Sequence, residues 1–316
     1  MTAQTLVTPP SPGTQAGLPP VRGRIVRSGD GTALHVESFG PADGPVLLLV
    51  HGWTCAIRFW NAQIRALAGP FRVVAFDLRG HGRSAPAATG DYGPDAFAAD
   101  ISAVLDAVLA PGEKAVVAGH SLGAMSVAAW ARRFPEQVQQ RAAAVAMLST
   151  GLGDLVTVSD IVGLANRFSA VKRPVGGRLL GLATPVPKRA GRAAMARAVR
   201  YIALSPDATA AQVAACEEMF RACEGVVRGA CGQQLARLDL HDAAAALTVP
   251  TLVLVGARDK LTPVAHARRL AESLPALTEL VELPIVGHMT PIESSGEVTG
   301  HLAALVRRHL MATVAR

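Results

Sequence analysis

The chain of 316 residues is short of aromatic side chains, which make up 4% of it, and only 17% of its residues are charged. A nucleic-acid surface needs basic residues interleaved with rings on which bases stack. The formal charge of +7 supplies the first, but no arginine cluster is interleaved with aromatics, so nucleic acid is not an expected partner. The four cysteines, Cys55, Cys216, Cys223 and Cys231, form no C-x-x-C pair and have no histidine at ligand spacing, which argues against zinc. Cys216 and Cys223 fall on one predicted helix face, too far apart along it to bond to each other. The thiols therefore read as free in a reducing compartment, and the expected location is cytoplasmic. No apolar run approaches the ~20 residues of a membrane-crossing helix. The first twenty residues carry Pro9, Pro10, Pro12, Pro19 and Pro20, with neither the basic start nor the apolar stretch of a signal peptide. A disordered tail is expected over residues 1–22. A G-x-G-x-x-G after the first strand is also absent, and no metal or cofactor is implied.

What the chain has in quantity is hydrophobic residues, 50% of the total, enough to fill a large core. Arg24–Arg27 and Leu34–Phe39 flank the turn Ser28-Gly29-Asp30-Gly31, a hairpin signal. Val46–Val50 is continuously apolar, as a strand covered on both faces should be. Arg58–Ala68 reads as a helix, Arg72–Phe76 as a strand and Asp77–Ser84 as a loop. Pro94 opens a helix with Phe97, Ile101, Val104, Leu105 and Val108 on one face. A strand at Lys114–Ala118, a helix over Met125–Arg133 and a strand at Ala142–Leu148 follow. This alternation predicts an α/β fold, a mainly parallel sheet with helices on both faces. From Thr150 to about Leu247 the strands stop and alanine-rich helices take over, with Ser205-Pro206-Asp207 as a start signal leading into a helix over Ala211–Ala222. The rhythm returns with a strand at Thr251–Val255, a helix at Val264–Ser273, a strand at Thr278–Leu283 and a helix at Glu297–Leu310. The domain reading is a core of residues 23–149 and 248–316. Residues 150–247 are expected as a helical cap, inserted after the sixth strand and seated above the strand carboxyl ends.

The chemistry concentrates at Gly119-His120-Ser121-Leu122-Gly123, a G-x-S-x-G between a strand and a helix. Such an abrupt turn forces the serine into a strained conformation and aims its hydroxyl out of the sheet. The helix that starts there offers backbone N–H groups to developing negative charge.

With HGW at His51–Trp53, DLRGHGRS at Asp77–Ser84, GARDKLTP at Gly256–Pro263 and GHMTPIE at Gly287–Glu293, the chain resembles the α/β-hydrolase superfamily over Arg24–Leu310. The resemblance implies a Ser-Asp-His triad of Ser121 as nucleophile, Asp259 as orienting acid and His288 as general base. Asp259 also reads as a loop-capping aspartate, and Asp154 is the reserve acid. The oxyanion donors implied are the backbone N–H groups of Trp53 and Leu122. Trp53, Cys55, Phe59, Met125 and Met289 are candidate substrate contacts, each with an equally good packing explanation. His51 and His81 read as loop holders, and His120 as pointing away from the site. His241, His266, His301 and His309 read as surface or packing residues. Serine at 121, where epoxide- and halide-displacing relatives carry aspartate, fits acyl transfer to water.

The expected activity is hydrolysis of carboxylic esters with apolar acyl groups. The same triad also serves C–C bonds, thioesters or peracids, and a ligand-binding receptor on the same fold is a further alternative. Between Ile161 and Pro206 nine basic residues, from Arg167 to Arg200, occur with no acidic one. This run reads either as solvated surface or as a peripheral contact with anionic lipid.

Overall fold

The computed structural model describes residues 17–159 and 191–311. Its sheet is built from β1 (Val21–Arg27), β2 (Ala33–Phe39), β3 (Val46–Val50), β4 (Arg72–Phe76), β5 (Ala115–His120), β6 (Ala142–Leu148), β7 (Thr251–Gly256) and β8 (Leu277–Leu283). Their order across the sheet is β1-β2-β4-β3-β5-β6-β7-β8. β2 runs antiparallel to both β1 and β4, and every other neighbouring pair is parallel.

The apolar run of β3 is explained by its pleat. Val46, Leu48 and Val50 face the layer of α2 (Pro94–Val108) and α3 (Leu122–Arg133). Leu47 and Leu49 face the layer of α1 (Asn61–Leu67) and α11 (Ser295–Val306). Successive strand residues point to opposite faces, so a strand covered on both sides must be apolar throughout. Truncating Leu47 or Leu48, both fully buried, to alanine costs about 2–5 kcal/mol. On α2 the expected stripe of Phe97, Ile101, Val104, Leu105 and Val108 is buried. α4 (Pro135–Arg141) then leads into β6.

Several element boundaries differ from the sequence reading. β1 starts at Val21 rather than Arg24, because its alternating Arg22 and Arg24 sit on an exposed sheet edge and break the apolar signal. The predicted helix over 58–68 is a 3-10 turn, Ile57–Trp60, running into α1. At the carboxyl end α10 (Thr290–Glu293) precedes α11, which passes into a π-helical turn at Arg307–Met311.

Between β6 and β7 the described residues form α5 (Leu155–Val158), α6 (Arg192–Ala203), α7 (Ala210–Ala222), α8 (Gly225–Ala236) and a 3-10 turn, His241–Ala246. α9 (Val264–Ser273) joins β7 to β8. α7 matches the helix expected over Ala211–Ala222, starting one residue earlier. Thr209 and Gln212 form a capping box, each side chain meeting the other's backbone N–H, and this sets the start at Ala210. Most of the basic run lies outside the described residues. Of its described part, Arg197 is exposed and Arg200 donates to the carbonyl of Pro206. No helix among the described residues is long and apolar enough to cross a membrane.

Candidate active site

Ser121 sits between β5 and α3 with φ 51° and ψ −118°, a conformation that side-chain-bearing residues avoid. Its N–H donates to the Leu148 carbonyl at 2.9 Å, and its own carbonyl accepts from Met125 N–H and the Thr150 hydroxyl. The flanking glycines are required by contact. A Cβ at Gly123 would lie 2.3 Å from the Val50 oxygen, and one at Gly119 would lie 2.6 Å from Ala124 N.

Asp259 follows β7, His288 follows β8, and the structure brings them together. His288 Nδ1 and Asp259 Oδ2 are 2.7 Å apart, and both side chains are buried. With a carboxylate opposite, Nδ1 carries the proton and donates it, which leaves Nε2 as the free lone pair. Asp259 is itself fully engaged. Its Oδ1 accepts from the N–H groups of Leu261 and Thr262 at 2.9 and 2.8 Å, and its Oδ2 also accepts from the Thr262 hydroxyl at 2.8 Å. Thr262 was not singled out in the sequence, although a hydroxyl three residues after a loop aspartate was the available signal.

His120 ties this pair to the serine turn. Its Nε2–H donates to the His288 carbonyl at 2.8 Å, and its ring packs 5.0 Å from the His288 ring and 4.6 Å from Phe59. Burial among other histidines holds it neutral, well below the usual histidine range. Asp154 is placed elsewhere: its carboxylate lies 3.4 Å from His241 and 3.5 Å from Arg269.

The loop after β3 is fixed by neutral histidines. His81 donates through Nδ1 to the Arg79 carbonyl and accepts through Nε2 from Thr54 N–H at 3.2 Å. Thr54 has φ 63°, so this bond holds a strained residue directly after Trp53. His51 donates through Nδ1 to the Gly52 carbonyl and accepts Leu78 N–H at 3.0 Å. Burial pulls both imidazoles down to about 4. Asp77 accepts from Ile57 and Arg83 N–H groups, and burial pushes its carboxyl up. Beneath this loop lies Arg79, an unexpected buried charge, with Nε and Nη2 on the two oxygens of Asp100 at 2.7 and 2.6 Å.

The predicted contact residues divide. The Trp53 indole donates to the Arg228 carbonyl of α8 at 3.2 Å. Met125 lines a small apolar cleft with Leu122, Phe97, Tyr92, Leu235 and Leu238. Cys55, Phe59 and Met289 are buried in the core layer shared with α1 and α11.

The profile described as alpha/beta hydrolase fold matches residues 45–295. The chain belongs to this family. As an alpha/beta hydrolase it is 30% identical to the dihydrolipoyllysine-residue acetyltransferase component of the acetoin cleaving system of Pseudomonas putida, over 88% of this chain and 68% of that protein. It is 40% identical to the bifunctional esterase/perhydrolase DCH of Acinetobacter calcoaceticus, over 35% of this chain and 39% of that one. In structure it resembles a thermophilic esterase from Thermogutta terrifontis, with TM-score 0.72 and 24% identity, over 91% of this chain and 99% of that one. The alpha/beta hydrolase fold accounts for a serine turn and two further loops that converge at the carboxyl ends of parallel strands.

Proposed function

We propose that the protein is a serine hydrolase that cleaves carboxylic esters with apolar acyl groups. The observation that carries this reading is the 2.7 Å bond between His288 Nδ1 and Asp259 Oδ2, beside a serine turn at φ 51°. His288 Nε2 takes the proton of Ser121 Oγ as the oxygen attacks the ester carbonyl. Asp259 holds the imidazole in the right tautomer and stabilises the imidazolium. The N–H groups of Trp53 and Leu122 receive the oxyanion. The imidazolium then protonates the leaving alcohol, and His288 next activates the water that releases the acid. Leu122 and Met125, in the first turn of the helix that starts at Ser121, are apolar, which supports an apolar acyl group. The named esterase among the relatives supports ester chemistry. That relative's perhydrolase activity also favours a second reading, in which hydrogen peroxide replaces water at the acyl-enzyme.

A fluorophosphonate probe tests the proposal. Ser121 in the wild-type chain should be labelled, and Ser121→Ala should lose both labelling and hydrolysis of p-nitrophenyl esters. Labelling at another residue, or undiminished hydrolysis by Ser121→Ala, would sink it.

A further inference from the structure

Between α6 and α7 the chain turns through Leu204–Thr209, and this turn touches both loops of the Asp259–His288 pair. On the His288 side Glu293, at the end of α10, is the hub. Its Oε2 accepts from Ser205 N–H at 2.7 Å and from Gly287 N–H at 3.1 Å, and its Oε1 accepts from Met289 N–H at 3.1 Å. The Ala203 carbonyl accepts from the N–H groups of His288 and Met289 at 3.0 and 3.2 Å. Contact is close enough that a Cβ on Gly287 would lie 2.5 Å from Ser205 N and 2.6 Å from Leu204 C. On the Asp259 side Arg258 pairs with Asp207, and Lys260 Nζ donates to the Tyr201 carbonyl at 3.2 Å.

The Glu293 carboxylate and the Ala203 carbonyl accept the backbone N–H groups of Gly287, His288 and Met289, while His120 holds the His288 carbonyl. If the turn lifts, His288 and Met289 lose the Ala203 carbonyl, Glu293 loses the Ser205 N–H that anchors it, and the imidazole is free to swing. We propose that Glu293 is a positioning residue whose carboxylate couples the seating of the 201–209 turn to the placement of His288. The base is then in line only while the inserted segment is docked. This rests on the reading of His288 as general base.

The test compares wild type, Glu293→Ala, Glu293→Gln and Gly287→Ala with p-nitrophenyl acetate. kcat is expressed per folded molecule, from the amplitude of the urea unfolding transition, so that unfolded protein does not count. Glu293→Ala should lower kcat by ~10²-fold with KM changed less than about threefold, the scale of a small misplacement of a reacting group. Glu293→Gln keeps one carbonyl acceptor and should recover roughly a tenth of wild-type kcat. Gly287→Ala, which pushes the turn away with Glu293 intact, should show the same loss as Glu293→Ala. Should Glu293→Ala fail to fold, the isosteric Gln variant and Gly287→Ala decide. Wild-type kcat per folded molecule in these variants, or a loss confined to KM, overturns the inference. An unlabelled Ser121 in wild type overturns the hydrolase reading and this inference together.

Discussion

Asp259→Asn keeps the shape of a side chain that makes four hydrogen bonds and removes its charge. The two backbone N–H groups of Leu261 and Thr262 can be met only by the amide oxygen, so the NH2 group takes the place of Oδ2. It then faces the Thr262 hydroxyl, which can turn to accept, and His288 Nδ1, which can accept only by moving its proton to Nε2. That tautomer has no lone pair for the proton of Ser121. The expected fall in kcat is roughly 10⁴-fold, as for the same change in a serine protease triad. It corresponds to about 5 kcal/mol of transition-state stabilisation. Exchange of charge-assisted for neutral bonds lowers fold stability by only about 1–2 kcal/mol. The assay is p-nitrophenyl acetate hydrolysis per folded molecule, with urea denaturation in parallel. An asparagine variant that keeps more than a tenth of wild-type kcat refutes the argument. Asp154→Asn serves as the control, because its partners are His241 and Arg269 rather than His288. It should stay within about twofold of wild type, because its half-buried carboxylate lies outside the Asp259–His288 pair.

Arg79→Leu leaves Asp100 buried without its two-pronged partner, so urea denaturation should show a loss of about 3–5 kcal/mol, and less than about 1 kcal/mol contradicts this. His51 and His81 titrate near 4 in the fold against 6.5 when free, so between these values unfolding takes up protons. Their contribution is complete above pH 6.5 and is lost as pH falls towards 4, about 3 kcal/mol for each histidine. A urea midpoint that does not move between pH 7 and pH 4.5 (roughly the titration window) counts against it. Burial pushes Cys216 up to about 12 and Cys223 to about 11, and raises Cys55 and Cys231 as well. A thiol-specific disulfide reagent at neutral pH should therefore react slowly with native protein and promptly in guanidinium, and prompt reaction of the native thiols is the contrary result.

The strands were readable because a sheet covered on both faces demands unbroken apolar runs, and Val46–Val50 and Ala142–Leu148 carry them. Sheet order was not readable, since nothing local tells β4 to lie between β2 and β3. The Asp259–His288 pair is legible through the resemblance that GARDKLTP and GHMTPIE carry, since both motifs follow strands on the serine side. Arg79, Thr262 and Glu293 lie within the quoted motifs, but their individual roles are not legible, for a common reason. Each is a polar side chain whose meaning lies in partners distant in sequence or in backbone groups, and hydrophobic periodicity is blind to both. The helix over Ala211–Ala222 is legible but its cap is not: the Ser205 N–H belongs to Glu293, and Thr209 with Gln212 sets the start.

The backbone angles at Ser121 set the scaffold against its own chemistry. A side chain held at φ 51° and ψ −118° stores of order 1–3 kcal/mol that glycine at the same place would release. Selection for heat resistance alone would therefore favour glycine at 121 and, with Ser121 the nucleophile proposed above, deliver a sturdier protein without its reacting group. A library screened only by melting temperature should hold that position constant, because there the most stable residue is the one that cannot react.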